Sequence, residues 1–275
     1  MTTFNINKFD ITSIPDDSVV VFLGARRTGK SFCLKNLLYY HKDIPIATIM
    51  SGTELANRFF GNFVPSVFIH EDFSDTLIDS VVNRQKKIKK KIEKSVKRTG
   101  KSDIDPRAVL ILDDLMFDTS WIKNRNIREM FMNGRHWHVL FMITLQFPLG
   151  IPPVLRSNID YVFIHRENNI NNRRRLYDNY ASMFPTFEMF CTIMDQCTEN
   201  YECLVIKKNT DSNKLQDQVF WYKAEDNGSF KMGDKFFWES QKETEDDSDE
   251  EDGMFDISAY NCKKNKYKLA VNKKK

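Results

Sequence analysis

No apolar run in the 275 residues approaches the roughly 18–20 needed to cross a bilayer. The longest candidates, around Val19–Leu23 and Val139–Leu145, are only strand-length. Met1 to Asp10 lacks the apolar centre of a secretory leader, so neither a leader nor a membrane anchor is expected. The five cysteines (Cys33, Cys191, Cys197, Cys203 and Cys262) form no C-x-x-C pair and are odd in number. That usage argues against a disulfide or zinc framework and for reduced thiols in a cytosol-like compartment. The five histidines (His41, His70, His136, His138 and His165) show no metal-ligand spacing, and the chain has no internal repeat.

What remains is a composition 41% hydrophobic and 29% charged, that of a soluble globular protein of one or two domains. The net charge of +3 conceals a segregation. Residues 239–275 hold 8 basic and 10 acidic side chains, which leaves 33 basic against 28 acidic in 1–238. The N-terminal part is therefore mildly basic, which is compatible with a nucleic-acid partner without establishing one. After Trp238 an acidic block through Asp252 gives way to a lysine-rich end from Lys263 to Lys275. Such blocks bury too little apolar area to offset the entropy of ordering, so 239–275 reads as a disordered tail. The division expected is an arm or edge strand over 1–17, a folded domain over 18–238, and the tail.

The most informative stretch is Val19-Val20-Val21-Phe22-Leu23 followed by Gly24-Ala25-Arg26-Arg27-Thr28-Gly29-Lys30-Ser31. The second part fits G-x-x-x-x-G-K-[ST], the phosphate-binding P-loop. An apolar β-rich run delivers the loop to a sheet edge, and the glycines permit backbone angles that turn successive N–H groups toward an anion. Lys30 can reach the β- and γ-phosphates, the Ser31 hydroxyl can ligate Mg²⁺, and a helix over Ser31–Tyr40 adds the positive end of its dipole.

Further strands are expected over Pro45–Met50, Ser66–His70, Arg107–Leu112, His138–Thr144 and Asp160–Ile164. Helices are expected over Asp75–Lys97, Thr119–Asn133, Ile170–Met183 and Phe187–Gln196, with a helical turn opened by Pro152-Pro153. Helices alternating with wholly apolar strands predict a mainly parallel sheet covered on both faces. Two late strands, Tyr201–Ile206 and Gln218–Tyr222, read as an antiparallel addition. In the Asp75–Lys97 helix the apolar stripe has one exception, Gln85. Between Arg84 and Lys101 ten basic residues face a single acid, Glu93.

Asp113-Asp114 closes an apolar strand about 80 residues after Lys30, the position of the second half of a P-loop site. Asp113 is assigned to the metal and Asp114 to the attacking water. Gln146, at the end of the next strand, is placed to hydrogen-bond the γ-phosphate or that water. Arg135 is the choice for a cation supplied in trans to the transition state, with Arg156, Arg26 and Arg27 as runners-up. For a nucleic-acid backbone the candidates are Lys86, Lys87, Lys90 and Lys94, and a second surface of Arg173, Arg174 and Arg175 with His165 and Arg166. Neither interleaves aromatics as a base-stacking platform does.

With these parts in place the chain resembles the DNA-packaging ATPases of nucleocytoplasmic large DNA viruses, the poxvirus-type group in the FtsK–HerA branch of P-loop ATPases. The resemblance runs from about Ile14 to Trp221. It rests on Gly24–Ser31, Val109–Asp114, Gly134-Arg135-His136, Thr144-Leu145-Gln146 and the segment Leu155–Phe163. It implies an α/β RecA-like core assembled into a ring that uses ATP and Mg²⁺ to drive double-stranded DNA into a capsid. A capsid or portal partner, and a place in the host cytoplasm or the virion, are implied with it. The lysine-rich end would offer a tether or a nuclear-import signal. Many members of the wider branch carry Glu where Asp114 stands. Two rival readings are a P-loop kinase of a small molecule and a nucleotide-gated assembly scaffold that does not translocate.

Overall fold

The computed structural model describes residues 5–115 and 120–241, so the acidic and lysine-rich blocks of the tail lie outside the described residues. The strands are β1 (Asn7–Lys8), β2 (Val19–Leu23), β3 (Ala47–Ser51), β4 (Ile69–His70), β5 (Ala108–Asp113), β6 (Val139–Leu145), β7 (Tyr161–Ile164), β8 (Glu202–Lys207) and β9 (Val219–Lys223). The helices are α1 (Lys30–Tyr40), α2 (Glu54–Asn57), α3 (Asp75–Thr99), α4 (Arg125–Asn133), α5 (Pro153–Arg156), α6 (Ile170–Tyr180) and α7 (Phe187–Cys197). Residues 1–234 make one compact unit; the second begins at Lys235, and its described residues, 235–241, are helical.

The nine strands form one sheet in the order β1-β9-β8-β7-β2-β6-β5-β3-β4. Neighbours from β7 through β4 are all parallel, and the antiparallel pairs are β7–β8 and β8–β9. Every residue of β2, β3, β5, β6 and β7 is buried, as parallel strands covered on both faces require. Val19, Val21 and Leu23 join a core with α3, α4, α6 and α7, while Val20 and Phe22 point to the other face, where α1 packs. Each such side chain contributes about 1.5–3 kcal/mol when fully buried.

Several element ends differ from the sequence expectation. Of Ser66–His70, only Ile69–His70 is strand, and Ser66–Phe68 is a single 3₁₀ turn. The helix expected from Thr119 begins at Arg125, where Asn124 caps it by accepting from Ile127 N–H, behind a 3₁₀ turn at Ser120–Ile122. The exception in the α3 stripe is a core residue. Gln85 is 2% exposed and its amide donates to the carbonyls of Pro106 (2.8 Å) and Trp137 (2.6 Å), so a buried polar group is satisfied. Beyond Gln85 the stripe leaves the body: Ile88 and Ile92 are half-buried and Val96 is 46% exposed. At the N-terminal arm, Phe9 is buried among the rings of Tyr161, Phe163, Phe220 and Tyr222, which fastens β1 to β9.

Candidate nucleotide site

The parallel strands end their carboxyl termini on one edge of the sheet, and the site is built there. β2 lies at the centre, with β7 on one side and β6 on the other. A row of paired residues crosses the sheet one step below the edge: Ser51 on β3 opposite Asp113 on β5, Asp113 opposite Thr144 on β6, and Thr144 opposite Phe22 on β2. Register alone brings two hydroxyls to the Asp113 carboxylate. Ser51 Oγ donates to one oxygen at 2.9 Å and Thr144 Oγ1 to the other at 2.6 Å. Thr144 Oγ1 also accepts from the backbone N–H of Asp114 at 3.0 Å. Asp113 is 5% exposed, and its burial raises the carboxyl pKa against the two hydroxyl bonds that lower it.

Asp114 sits past the strand end with a left-handed backbone (φ 51°) and is half-buried. The Gln146 amide donates to both of its carboxylate oxygens, at 2.5 and 2.6 Å. The sheet order explains the pairing: β6, which carries Gln146, lies between the P-loop strand and the strand of the acidic pair. Sequence order places Gln146 beyond the acidic pair; in space it stands between that pair and the loop.

Gly24 leaves β2 bonded to β6 through its N–H to Leu145 O (3.1 Å). A Cβ there would meet His165 Cβ at 2.7 Å and Thr28 Oγ1 at 2.9 Å, so the close approach needs glycine. Gly29 has φ 97° and opens α1 directly. The longer helices α3, α4, α6 and α7 each have a side chain capping their first N–H groups, from Ser74, Asn124, Asn169 and Thr186. The start of α1 has none, which leaves its N–H groups and dipole for an anion. Lys30 folds back over the loop, Nζ donating to the carbonyls of Gly24 and Ala25, both at 2.8 Å. Burial lowers its pKa, and the charges of Asp114 and Asp113 oppose that shift.

His165, at the end of β7, is 1% exposed and holds the loop from below. Its backbone N–H donates to Leu23 O at 2.7 Å, and Nδ1 lies 3.1 Å from Thr28 O. That pairing fixes the neutral tautomer with the proton on Nδ1. Burial and the Lys30 charge push its pKa down to about 3. His165 is therefore a loop support, which corrects its assignment to a basic surface.

The structure brings together Gly24–Ser31, Asp113, Asp114 and Gln146, and leaves the other candidates elsewhere. Arg135 lies before β6 at the opposite edge of the sheet, its guanidinium 3.0 Å from Asp160 and 60% exposed. Arg156 is buried, donating to Ile151 O at 2.7 Å and to Asn179. Arg26 and Arg27 are exposed on the loop. Lys87, Lys90 and Lys94 are exposed on α3, and Lys86 lies 5.1 Å over the Trp137 ring. Arg173 is spent inside the chain on Glu167 O and Asp195, both at 2.6 Å. Arg174 lies 4.2 Å over the Phe187 ring and Arg175 5.0 Å over Phe147.

Sequence reasoning passed over Ser51 and the role of Thr144, whose signal is cross-strand register and is invisible until the strand order is known. Mg²⁺ fits the donors present. The Ser31 hydroxyl and the Asp113 carboxylate are hard oxygen ligands, and Asp113 is oriented by donors on both oxygens.

Comparison with known proteins agrees with this reading of the fold. A family model described as Poxvirus A32 protein matches residues 6–232. A protein of Acanthamoeba polyphaga mimivirus is 34% identical over 240 residues, covering 87% of this chain and 84% of that one. A protein of invertebrate iridescent virus 3 is 39% identical over 208 residues, covering 75% and 76%. Among solved structures, the genome packaging NTPase B204 of Sulfolobus turreted icosahedral virus 2, in complex with AMPPCP, superposes with a TM-score of 0.52 at 16% identity, covering 76% of this chain and 99% of that one.

Proposed function

The chain belongs to the Poxvirus A32 protein family, and from that premise we propose that it is an ATP-hydrolysing DNA translocase that moves viral double-stranded DNA into a capsid. The observation that carries the reading is the convergence on one sheet edge of the P-loop, the hydroxyl-held Asp113 and the Asp114–Gln146 pair. An acidic pair so placed suits activation of water, as in an ATPase, better than transfer to a small-molecule acceptor.

In this mechanism the loop N–H groups and the start of α1 take the triphosphate, and Lys30 Nζ exchanges the carbonyls of Gly24 and Ala25 for β- and γ-oxygens. Ser31 and Asp113 would hold Mg²⁺, which neutralises charge on those oxygens when bound. Asp114 orients the attacking water and takes its proton as the bond from the β–γ bridging oxygen to the γ-phosphorus breaks. Gln146, hydrogen-bonded to Asp114, sets the direction of that carboxylate and registers loss of the γ-phosphate. Within one chain Arg135 stands at the far edge, so its role as a finger requires a second copy of the chain, as in a ring. The exposed lysines of α3, with Arg174 and Arg175, supply phosphate-reading charge without sequence preference. The setting that follows is the host cytoplasm, with a capsid or portal component as docking partner.

The test is ATP turnover with and without long duplex DNA over a series of salt concentrations. Turnover stimulated by DNA and weakened by salt supports translocation. Turnover that ignores DNA favours a scaffold, and phosphate passed to a small-molecule acceptor favours a kinase.

A further inference from the structure

Beside the phosphate loop is a cavity of about 600 Å³ lined by Gly29, Phe32, Asn200, Tyr201, Lys223 and Ala224. Two large aromatic side chains border it without being packed away: Phe32 is 40% exposed and Tyr201 71% exposed. Phe32 lies two residues after Lys30, on the first turn of a helix that otherwise buries Cys33, Leu34, Leu37 and Leu38. Tyr201 comes from across the fold, in the turn between α7 and β8. That turn costs backbone strain, since Asn200 (φ 49°) and Tyr201 (φ 64°) are consecutive non-glycine residues in the left-handed region. It is closed by Glu202 N–H donating to Glu199 O at 2.8 Å. The result is a ring held against the loop: a Cβ built on Gly29 would lie 3.5 Å from Tyr201 Cδ1.

We propose that Phe32 and Tyr201 form a clamp that holds the base of the nucleotide whose phosphates occupy Gly24–Ser31. This rests on the nucleotide-site reading given above and adds the part of the ligand that the P-loop does not address. The cavity reaches the loop at Gly29, so a ligand anchored there by its phosphates extends its base into it, and its volume is that of a small-ligand site. Its walls are mainly carbon. Recognition is therefore by stacking on ring faces, which every base offers and which a purine offers most of, rather than by reading exocyclic groups.

The experiment measures binding of ATPγS and of inorganic tripolyphosphate, which has no base, to the full chain and to Tyr201→Ala, Tyr201→Phe, Phe32→Ala and Lys30→Ala. The clamp predicts that Tyr201→Ala weakens ATPγS about tenfold or more, with a smaller loss for Phe32→Ala. Tripolyphosphate should bind all three aromatic variants as it binds the parent, and Tyr201→Phe should bind ATPγS within about twofold of it. Unchanged ATPγS binding by Tyr201→Ala overturns the clamp. So does an equal loss for both ligands, because Tyr201 would then be supporting the loop at Gly29. Lys30→Ala should weaken both ligands. If it weakens neither, the nucleotide-site reading fails, and the clamp with it.

Discussion

The two edges of the sheet treat charge in opposite ways. At the amino-terminal edge it is spent. Arg107 engages Asp16 (3.0 Å), Asp43 (2.8 Å) and Asp105 (2.8 Å). Asp160 accepts from Val19 N–H (2.8 Å), Arg135 (3.0 Å) and Asn209. Around the phosphate loop, at the carboxyl-terminal edge, charge is held back. Lys30 has only the carbonyls of its own loop, and Asp113 has only hydroxyls. Among the described residues no ion pair joins Lys30 to either aspartate, although both carboxylates act on its pKa. Neutralised charge serves the fold, and on the proposed reading the unneutralised charge is kept for a nucleotide and its metal.

Substitutions at the two edges should therefore fail in different assays. The largest effect is expected from Lys30→Ala, which should lower ATP turnover by about 10³-fold or more while leaving the melting temperature unchanged or raised, since a desolvated cation is removed. Next comes Asp114→Asn, expected to keep nucleotide binding and to lose about 10²–10⁴ in turnover as a general base is lost. Asp113→Asn should instead weaken Mg²⁺-dependent binding, and titration of the nucleotide with and without the ion separates the two. If Asp113→Asn alone stops turnover with binding intact, the roles are exchanged.

At the other edge the readout is stability. Asp160→Ala leaves the Val19 N–H without its acceptor and should cost about 1–3 kcal/mol in chemical denaturation, with turnover per folded molecule retained. A loss of turnover greater than the loss of folded protein would show that Asp160 also positions Arg135 for its action on a neighbouring copy.

His165 gives a pH test of the same contrast. Its folded pKa of about 3 lies below the ordinary 6.5, so between those values the unfolded chain binds a proton that the folded one refuses. Stability should fall as pH drops through that window, by up to about 1.4 kcal/mol per pH unit from this group. His165→Gln should flatten the slope. The smallest effect on either edge is expected from replacing Lys86, Lys87, Lys90 and Lys94 by Gln. Fold and basal turnover should hold, while the fall of log DNA affinity with log salt flattens by about 0.9 for each phosphate no longer neutralised.

The parts legible in the sequence were those written in consecutive residues. The P-loop, the apolar strands and the bodies of the longer helices follow from local pattern, and so does the acidic pair at the end of β5. What needed the structure was whatever depends on strand order. The Ser51–Asp113–Thr144 row and the Gln146–Asp114 bond join residues 31–62 positions apart, through a sheet in which β6 enters between β2 and β5. Periodicity marked Gln85 as an exception to the α3 stripe but could not show the two carbonyls that make it a core residue. Charge counting overvalued Arg173 and His165, because a count does not see which cations are already engaged inside the chain.

The insertion of β6 has a mechanical consequence. Its seven residues are all buried, and Phe141–Thr144 are paired on both sides by parallel neighbours, so it is a stiff strut about 23 Å long. Gln146 follows one end, and Arg135, on the turn that feeds the other, is the exposed member of its ion pair. On the proposed mechanism, a displacement along the strand axis at the Gln146 end would reach the far edge at nearly the same size. On that reading one strand would be both the wall of the hydrolysis site and the rod by which one copy of the chain feels the chemistry of the next.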